Sequence, residues 1–163
     1  MVIGNIERSG EGEFPEKQAV TIYVAGCNLR CSYCGYAGLL GNCAMDTGHD
    51  WAYAESYIRK RLDRLDGVIF SGGEPTLHED LKSCLKRVKE MGLSTKLETN
   101  GTKPEVLRDI LHSGLVDYVA MDVKAPLENY ANLVGCRVDV ELIRTSVSPV
   151  CAPSVGTPSA HPR

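Results

Sequence analysis

Residues 19–34 read AVTIYVAGCNLRCSYC. Ala19 to Ala25 is an apolar, β-branched run of strand length, and Gly26 breaks it. Directly behind the glycine stand Cys27, Cys31 and Cys34, separated by three and then two residues. Three thiols packed so closely suit a metal centre better than a disulfide, and their odd number leaves one metal position without a protein ligand. A tetrahedral structural zinc would need a fourth ligand, for which Cys43 or His49 could serve. A four-iron cluster on the same three thiolates would leave one iron open.

Outward from this loop the chain alternates strand and helix. Trp51, Ala54, Ile58, Leu62 and Leu65 recur at helical spacing and predict a helix from Trp51 to Leu65. Gly67 to Phe70 reads as a short buried strand. Leu77, Leu81, Leu85, Val88 and Met91 line a second helix, with Glu79 and Asp80 at its start and Lys86, Arg87 and Lys89 towards its end, as the helix dipole prefers. Ser94 to Thr99 is a third strand. Pro104 opens a third helix carrying Val106, Leu107, Ile110 and Leu111, and Gly114 ends it. Val116 to Met121 is a fourth strand, and a last helical segment starts near Asp139.

This order predicts an α/β fold with a parallel sheet. Such sheets bind ligands at the carboxyl ends of their strands. The cysteine loop, Ser71-Gly72-Gly73-Glu74-Pro75, Glu98-Thr99-Asn100-Gly101 and Asp122-Val123-Lys124 each fall at such an end. Motifs placed by chance would land at both edges, so their coincidence predicts one shared site. Taken singly they are weaker. Gly72-Gly73-Glu74 could be an ordinary strand-to-helix turn, Asn100-Gly101 a turn, and Asp122 with Lys124 a surface ion pair.

The loop Cys-x3-Cys-x-Tyr-Cys, followed by Gly72-Gly73-Glu74-Pro75, resembles the signature of the radical S-adenosylmethionine (SAM) superfamily. Thr99-Asn100-Gly101 and Asp122-Val123-Lys124 are similar to elements of its glycyl-radical-enzyme activase branch, with Glu98 and Val123 departing from the usual Asp and Leu. The run from Glu98 to Pro126 is most like the activating proteins of anaerobic ribonucleoside-triphosphate reductases. Two segments depart from that pattern: Gly35-Tyr36-Ala37 behind the cysteines, and Glu13-Phe14-Pro15-Glu16-Lys17 before the first apolar run.

The resemblance implies a partial (β/α) barrel, with Cys27, Cys31 and Cys34 holding a [4Fe-4S] cluster. It implies SAM on the open iron, contacted by Tyr33, Gly72, Gly73, Glu74, Asn100, Asp122 and Lys124. The chemistry it implies is reductive cleavage of SAM, then removal of a hydrogen from one glycine of a partner enzyme. That partner would be the large subunit of an anaerobic ribonucleotide reductase, and the electron would come from a flavodoxin or ferredoxin. No side chain is expected to act as a general acid or base. Two alternatives stand beside this: a radical SAM enzyme on a small molecule, such as a 7-carboxy-7-deazaguanine synthase, or an inactive truncated metal-binding fragment.

Composition sets the remaining bounds. The 163 residues suit one domain, and a net charge of -3 gives no nucleic-acid or membrane footprint. Met1 to Gln18 lacks the apolar run of a signal peptide, so cytoplasmic residence is expected. Cys84 is expected in the core, Cys43, Cys136 and Cys151 outside any ligand set, His78 and His112 at the surface, and Trp51 as a core anchor. Residues 1–145 are expected to form the core domain. Ser146 to Arg163 holds four of the eight prolines and no acidic residue, and is expected to be a disordered or aberrant tail on a barrel incomplete at its C-terminus.

Overall fold

The apolar runs become one five-stranded sheet in the computed structural model, which describes residues 1–40 and 48–151. The strands are β1 (Ile3–Arg8), β2 (Ala19–Val24), β3 (Gly67–Gly72), β4 (Ser94–Thr99) and β5 (Tyr118–Met121), in that spatial order. β1 runs antiparallel to β2 and all other neighbours are parallel. The helices are α1 (Trp51–Arg59), α2 (Leu81–Glu90), α3 (Pro104–His112), α4 (Tyr130–Val134) and α5 (Val140–Cys151).

Period-two alternation decides the faces of the sheet. Val20, Ile22 and Val24 of β2, Val68 and Phe70 of β3 and Leu97 of β4 all point to one side. There they meet Ala54 and Ile58 of α1, Leu81, Cys84, Leu85 and Val88 of α2, and Leu107 and Ile110 of α3. Each large side chain fully buried in this way contributes about 1.5–3 kcal/mol. The opposite side carries Thr21, Ile69, Ser71, Lys96 and Glu98. Towards the amino ends of the strands Phe14 covers it, packing with Ala19 and Ile69. A second small core of Leu29, Tyr130, Val134 and Ile143 sits beneath the cysteine loop, built largely from α4 and α5.

Four expectations need correction, and β1 is a strand that the sequence does not predict. The second helix begins only at Leu81, leaving Leu77 in a 3-10 turn (Pro75–Leu77) and Glu79 and Asp80 ahead of the helix. The helix predicted over Trp51–Leu65 stops at Arg59, and Leu62–Arg64 forms a separate 3-10 turn with Leu62 exposed. Where a tail was expected from Ser146, α5 continues to Cys151 through Pro149. Ser146 is buried on that helix, its hydroxyl donating to the Gly101 carbonyl at 2.7 Å. The rest of the expected tail, 152–163, and Cys43 lie outside the described residues. His78 is half-buried rather than a surface residue; its Nε2 meets the Ala25 carbonyl at 3.0 Å, just ahead of the cysteine loop.

Trp51 anchors α1 by stacking on Phe70 at 6.0 Å between ring centroids. Its indole N–H donates to Glu55 at 3.1 Å, and Arg59 and Arg87 also reach that buried carboxylate. Burial alone would raise the Glu55 pKa, but the two guanidiniums outweigh it and hold the carboxyl below its ordinary range. Its stabilisation is therefore present above the ordinary glutamate pKa of about 4.3 and is lost as pH falls through the lower folded value. Glu55→Gln is expected to cost about 1–3 kcal/mol at pH 7 and to shrink the stability lost as pH falls below about 4.3. Urea unfolding at pH 7 and at successively lower pH measures this.

Candidate functional site

The carboxyl ends of β2 to β5 meet around a cavity of about 170 Å³. Cys27, Cys31 and Cys34 line it from the loop after β2, and Gly72, Gly73 and Glu74 from the turn after β3. Asn100 enters from the end of β4, and Asp122 and Lys124 from the end of β5. Tyr33 stands at the mouth, 53% exposed. Every residue assigned to the site from sequence faces this one space. The enclosed volume is below the roughly 300 Å³ at the lower end for small-molecule sites, so a large ligand would extend past Tyr33.

The two glycines have a reason that the sequence did not show. They close the sheet against the start of the cysteine loop. The Gly73 N–H donates to the Val24 carbonyl at 2.9 Å and the Glu74 N–H to the Gly26 carbonyl at 2.8 Å. A Cβ on Gly73 would lie 1.9 Å from the Gly26 carbonyl oxygen. A Cβ on Gly72, whose φ is +101°, would lie 2.6 Å from the Val24 nitrogen. Both positions therefore need glycine for backbone-to-backbone approach, whatever else the site binds.

Glu74 is fully buried. Its Oε1 accepts from the Thr76 N–H at 3.0 Å, the Thr76 hydroxyl and the Thr99 hydroxyl at 2.7 Å, while Oε2 accepts from the Asn100 N–H at 2.7 Å. The carboxylate thus ties the end of β3 to the end of β4. No salt bridge reaches it among the described residues. Burial pushes its pKa up despite these donors. A buried carboxylate with no counter-ion and only one protein donor on Oε2 suits an ammonium group from a ligand.

Asn100 is turned towards the cysteines. Its side-chain amide donates to Asn28 Oδ1 at 3.0 Å and lies 3.8 Å from Cys27 Sγ. Its oxygen accepts from the N–H and hydroxyl of Thr102. The Leu29 N–H is a second donor to Cys27 Sγ, at 3.4 Å. Hydrogen bonds of this kind orient metal-ligating groups and tune the metal they hold.

Burial raises the Cys27 pKa, with Glu74 and the neighbouring thiols adding to it and the Leu29 N–H opposing. Burial also raises that of Cys31, against the pull of Lys124. Metal binding to these thiols must therefore release protons. Lys124 pairs with Asp122. Burial would lower its pKa, but that carboxylate raises it, so the ammonium persists beside the thiols. Cys27, Cys31 and Cys34 face one shared space, and three such thiolates are a donor set that iron-sulfur clusters use.

Three further features have no role assigned to them by the sequence. Ser71 and Glu98 line the cavity, the serine hydroxyl donating to Glu98 Oε2 at 2.7 Å and Lys96 pairing with Oε1 at 2.6 Å. Period-two alternation along β3 and β4 would have placed both on the face away from the helices. Tyr36 also lines the cavity, with its ring 5.0 Å from that of Tyr23. Cys136, expected outside any ligand set, packs against the cysteine loop, its Sγ 3.5 Å from the Asn28 carbonyl. Cys84 is buried in the core as expected, its thiol pushed up to about 11.

The profile of the radical SAM superfamily matches residues 21–144. A candidate glycyl-radical enzyme activating enzyme of Methanocaldococcus jannaschii is 36% identical over 138 residues, covering 83% of this chain and 55% of its own. The 7-carboxy-7-deazaguanine synthase of Thermococcus kodakarensis is 27% identical over 143 residues, covering 74% and 53%. Among solved structures, TYW1 with a lysine-pyruvate adduct bound superposes with a TM-score of 0.53 at 16% identity, covering 80% of this chain and 50% of its own. This supports the fold alone. The chain spans about half the length of the curated relatives it matches.

Proposed function

The chain belongs to the radical SAM superfamily, which uses a [4Fe-4S] cluster and SAM, and from that premise we propose that it is the core of an enzyme that activates a glycyl radical enzyme. The observation that carries this reading is the convergence of the three-cysteine loop, the buried Glu74 and the Asp122–Lys124 pair on one cavity. The similarity to the candidate activating enzyme supports the branch.

Each group has a proposed task. Cys27, Cys31 and Cys34 hold the cluster, with Asn100 and the Leu29 N–H supporting Cys27. Glu74 receives the ammonium of the SAM methionine moiety. Lys124, kept charged by Asp122, meets its carboxylate, and Tyr33 closes over the cluster. When bound, the reduced cluster supplies the electron that cleaves SAM and so generates the hydrogen-abstracting radical. No side chain in the cavity is assigned to proton transfer.

A protein substrate fits the mouth. Tyr33 and Tyr36, which line the cavity, expose 53% and 44% of their surface, and Val123, between Asp122 and Lys124 in sequence, exposes 55%. Aromatic and apolar groups around an open cavity suit a docking protein loop. The specific partner proposed is the large subunit of an anaerobic ribonucleotide reductase, with a flavodoxin or ferredoxin as electron donor and the reducing cytoplasm as the setting.

The experiment is anaerobic incubation of the cluster-loaded protein with SAM, a reductant and that reductase subunit. A glycyl-radical doublet in the electron paramagnetic resonance spectrum is expected. Val123→Ser should weaken its appearance while leaving partner-free SAM cleavage unchanged. The similarity to the deazaguanine synthase favours a second reading. Formation of 7-carboxy-7-deazaguanine without any glycyl radical would select it and reject the first.

A further inference from the structure

At the opposite edge of the sheet, by the amino ends of β2 and β3, lies a larger cavity of about 740 Å³. Six-residue strands put it about 20 Å from the cysteine loop, so the site described above does not account for it. Its size is that of a small-molecule site, about 300–1,000 Å³. Arg8, Lys60, Arg61 and Arg64 line it, against the single carboxylate of Asp63. This concentration of positive charge stands out in a chain of net charge -3.

Arg61 is held in place without being neutralised, and the exposed Arg8 has a neutral partner only. Arg61 is half-buried, its guanidinium 3.7 Å from the Tyr57 ring centroid, and it donates to the Tyr57 carbonyl at 3.1 Å. Arg8 donates to the Gln18 side-chain oxygen at 2.7 Å. Among the described residues Arg8, Lys60 and Arg61 make no salt bridge, and Asp63 pairs with Arg64. Basic side chains on a solvated face are normally long, mobile and separately hydrated. Guanidiniums with neutral partners around a concavity keep their charge and several N–H donors free for a ligand, in the fork geometry that matches phosphate oxygens. Ala19, Val20 and Leu65 add an apolar floor.

We propose that this cavity binds a phosphorylated small molecule carrying two or more negative charges. Arg8 and Arg61 grip the phosphates, and Lys60 and Arg64 screen them at the rim. The proposal is independent of the cluster and of the activase reading.

The test uses the full 163-residue chain, titrated with tripolyphosphate and, in a second arm, with ATP. Calorimetry gives stoichiometry and amide shifts locate the site. One-to-one saturable binding is expected, with shifts confined to the Arg8, Gln18–Val20 and Tyr57–Leu65 segments. Arg8→Gln and Arg61→Gln should each weaken it at least tenfold. Arg108→Gln, which removes the same charge from α3 where Arg108 pairs with Glu105, should not change it. Equal affinity in the two arms assigns the phosphates alone as the determinant, and tighter ATP binding assigns a nucleotide ester. Absence of saturable binding by both ligands overturns the proposal. So does equal weakening by Arg108→Gln, which would mean diffuse electrostatics.

Discussion

Gly73→Ala is expected to destabilise the fold by about 3 kcal/mol or more, a loss normally seen only for severe core overpacking. The added methyl would lie 1.9 Å from the Gly26 oxygen, 2.7 Å from the Gly26 carbon and 3.1 Å from the Val24 oxygen. None of these is a side chain that can swing aside. Gly26 is fixed on both sides, its N–H donating to the Leu39 carbonyl and its carbonyl accepting from Glu74, each at 2.8 Å. Relief therefore means separating the end of β3 from the cysteine loop, which costs those bonds and moves Cys27. Urea unfolding should show the loss, and iron uptake should fall with it. A Cβ on Gly38 meets nothing within 4 Å, so Gly38→Ala should stay within about 0.5 kcal/mol of the parent. Parental stability in Gly73→Ala would show that the two backbones do not approach as described.

Glu74→Gln is the second large effect. The side chain keeps its shape, but one acceptor becomes a donor. If the amide oxygen takes the Oε1 place and keeps its three donors, the NH2 group faces the Asn100 N–H across 2.7 Å. Turning the amide over sets it instead against the Thr76 N–H, with the Thr76 and Thr99 hydroxyls forced to rotate. Either way a buried N–H is left unpaired, for about 2–3 kcal/mol. The pH dependence gives a separate signature. With its folded pKa raised, Glu74 contributes stability that is complete below the ordinary glutamate pKa and is lost as pH rises through the folded value. Glu74→Gln should remove that decline. On the proposed function it should also weaken SAM binding to the cluster-loaded protein, because the ammonium loses its counter-charge.

The site was largely legible in sequence because parallel α/β sheets gather functional loops at one edge. Once Ala19–Ala25, Gly67–Phe70, Ser94–Thr99 and Val116–Met121 read as strands, the cysteines, Gly72–Gly73–Glu74, Asn100 and the Asp122–Lys124 pair had to converge. What escaped has physical reasons. β1 buries only Ile3 fully along Ile3–Arg8, so it has no hydrophobic period to detect, and pairing with β2 makes it a strand. Helical spacing carried α1 too far because Leu62 and Leu65 keep the period after the backbone has left the helix. Ser146 looked like tail because it is polar, yet it shares the buried stripe of α5 with Ile143 through its bond to Gly101. Cys136 reaches the cysteine loop through a contact across 108 residues of sequence, beyond the reach of any spacing rule. The reason for the two glycines was likewise tertiary. The sequence suggested room for a ligand, and the structure supplies the neighbouring backbone of Val24 and Gly26.

The central claim is that Cys27, Cys31 and Cys34 together hold one multinuclear cluster in the cavity at the carboxyl edge of the sheet. Its most direct test is the iron and acid-labile sulfide content per chain after anaerobic reconstitution, for the parent and for Cys31→Ala. About four of each is the predicted content of the parent, with loss of both in the variant. A single bound metal ion without sulfide, or an unchanged cluster in Cys31→Ala, would contradict the account.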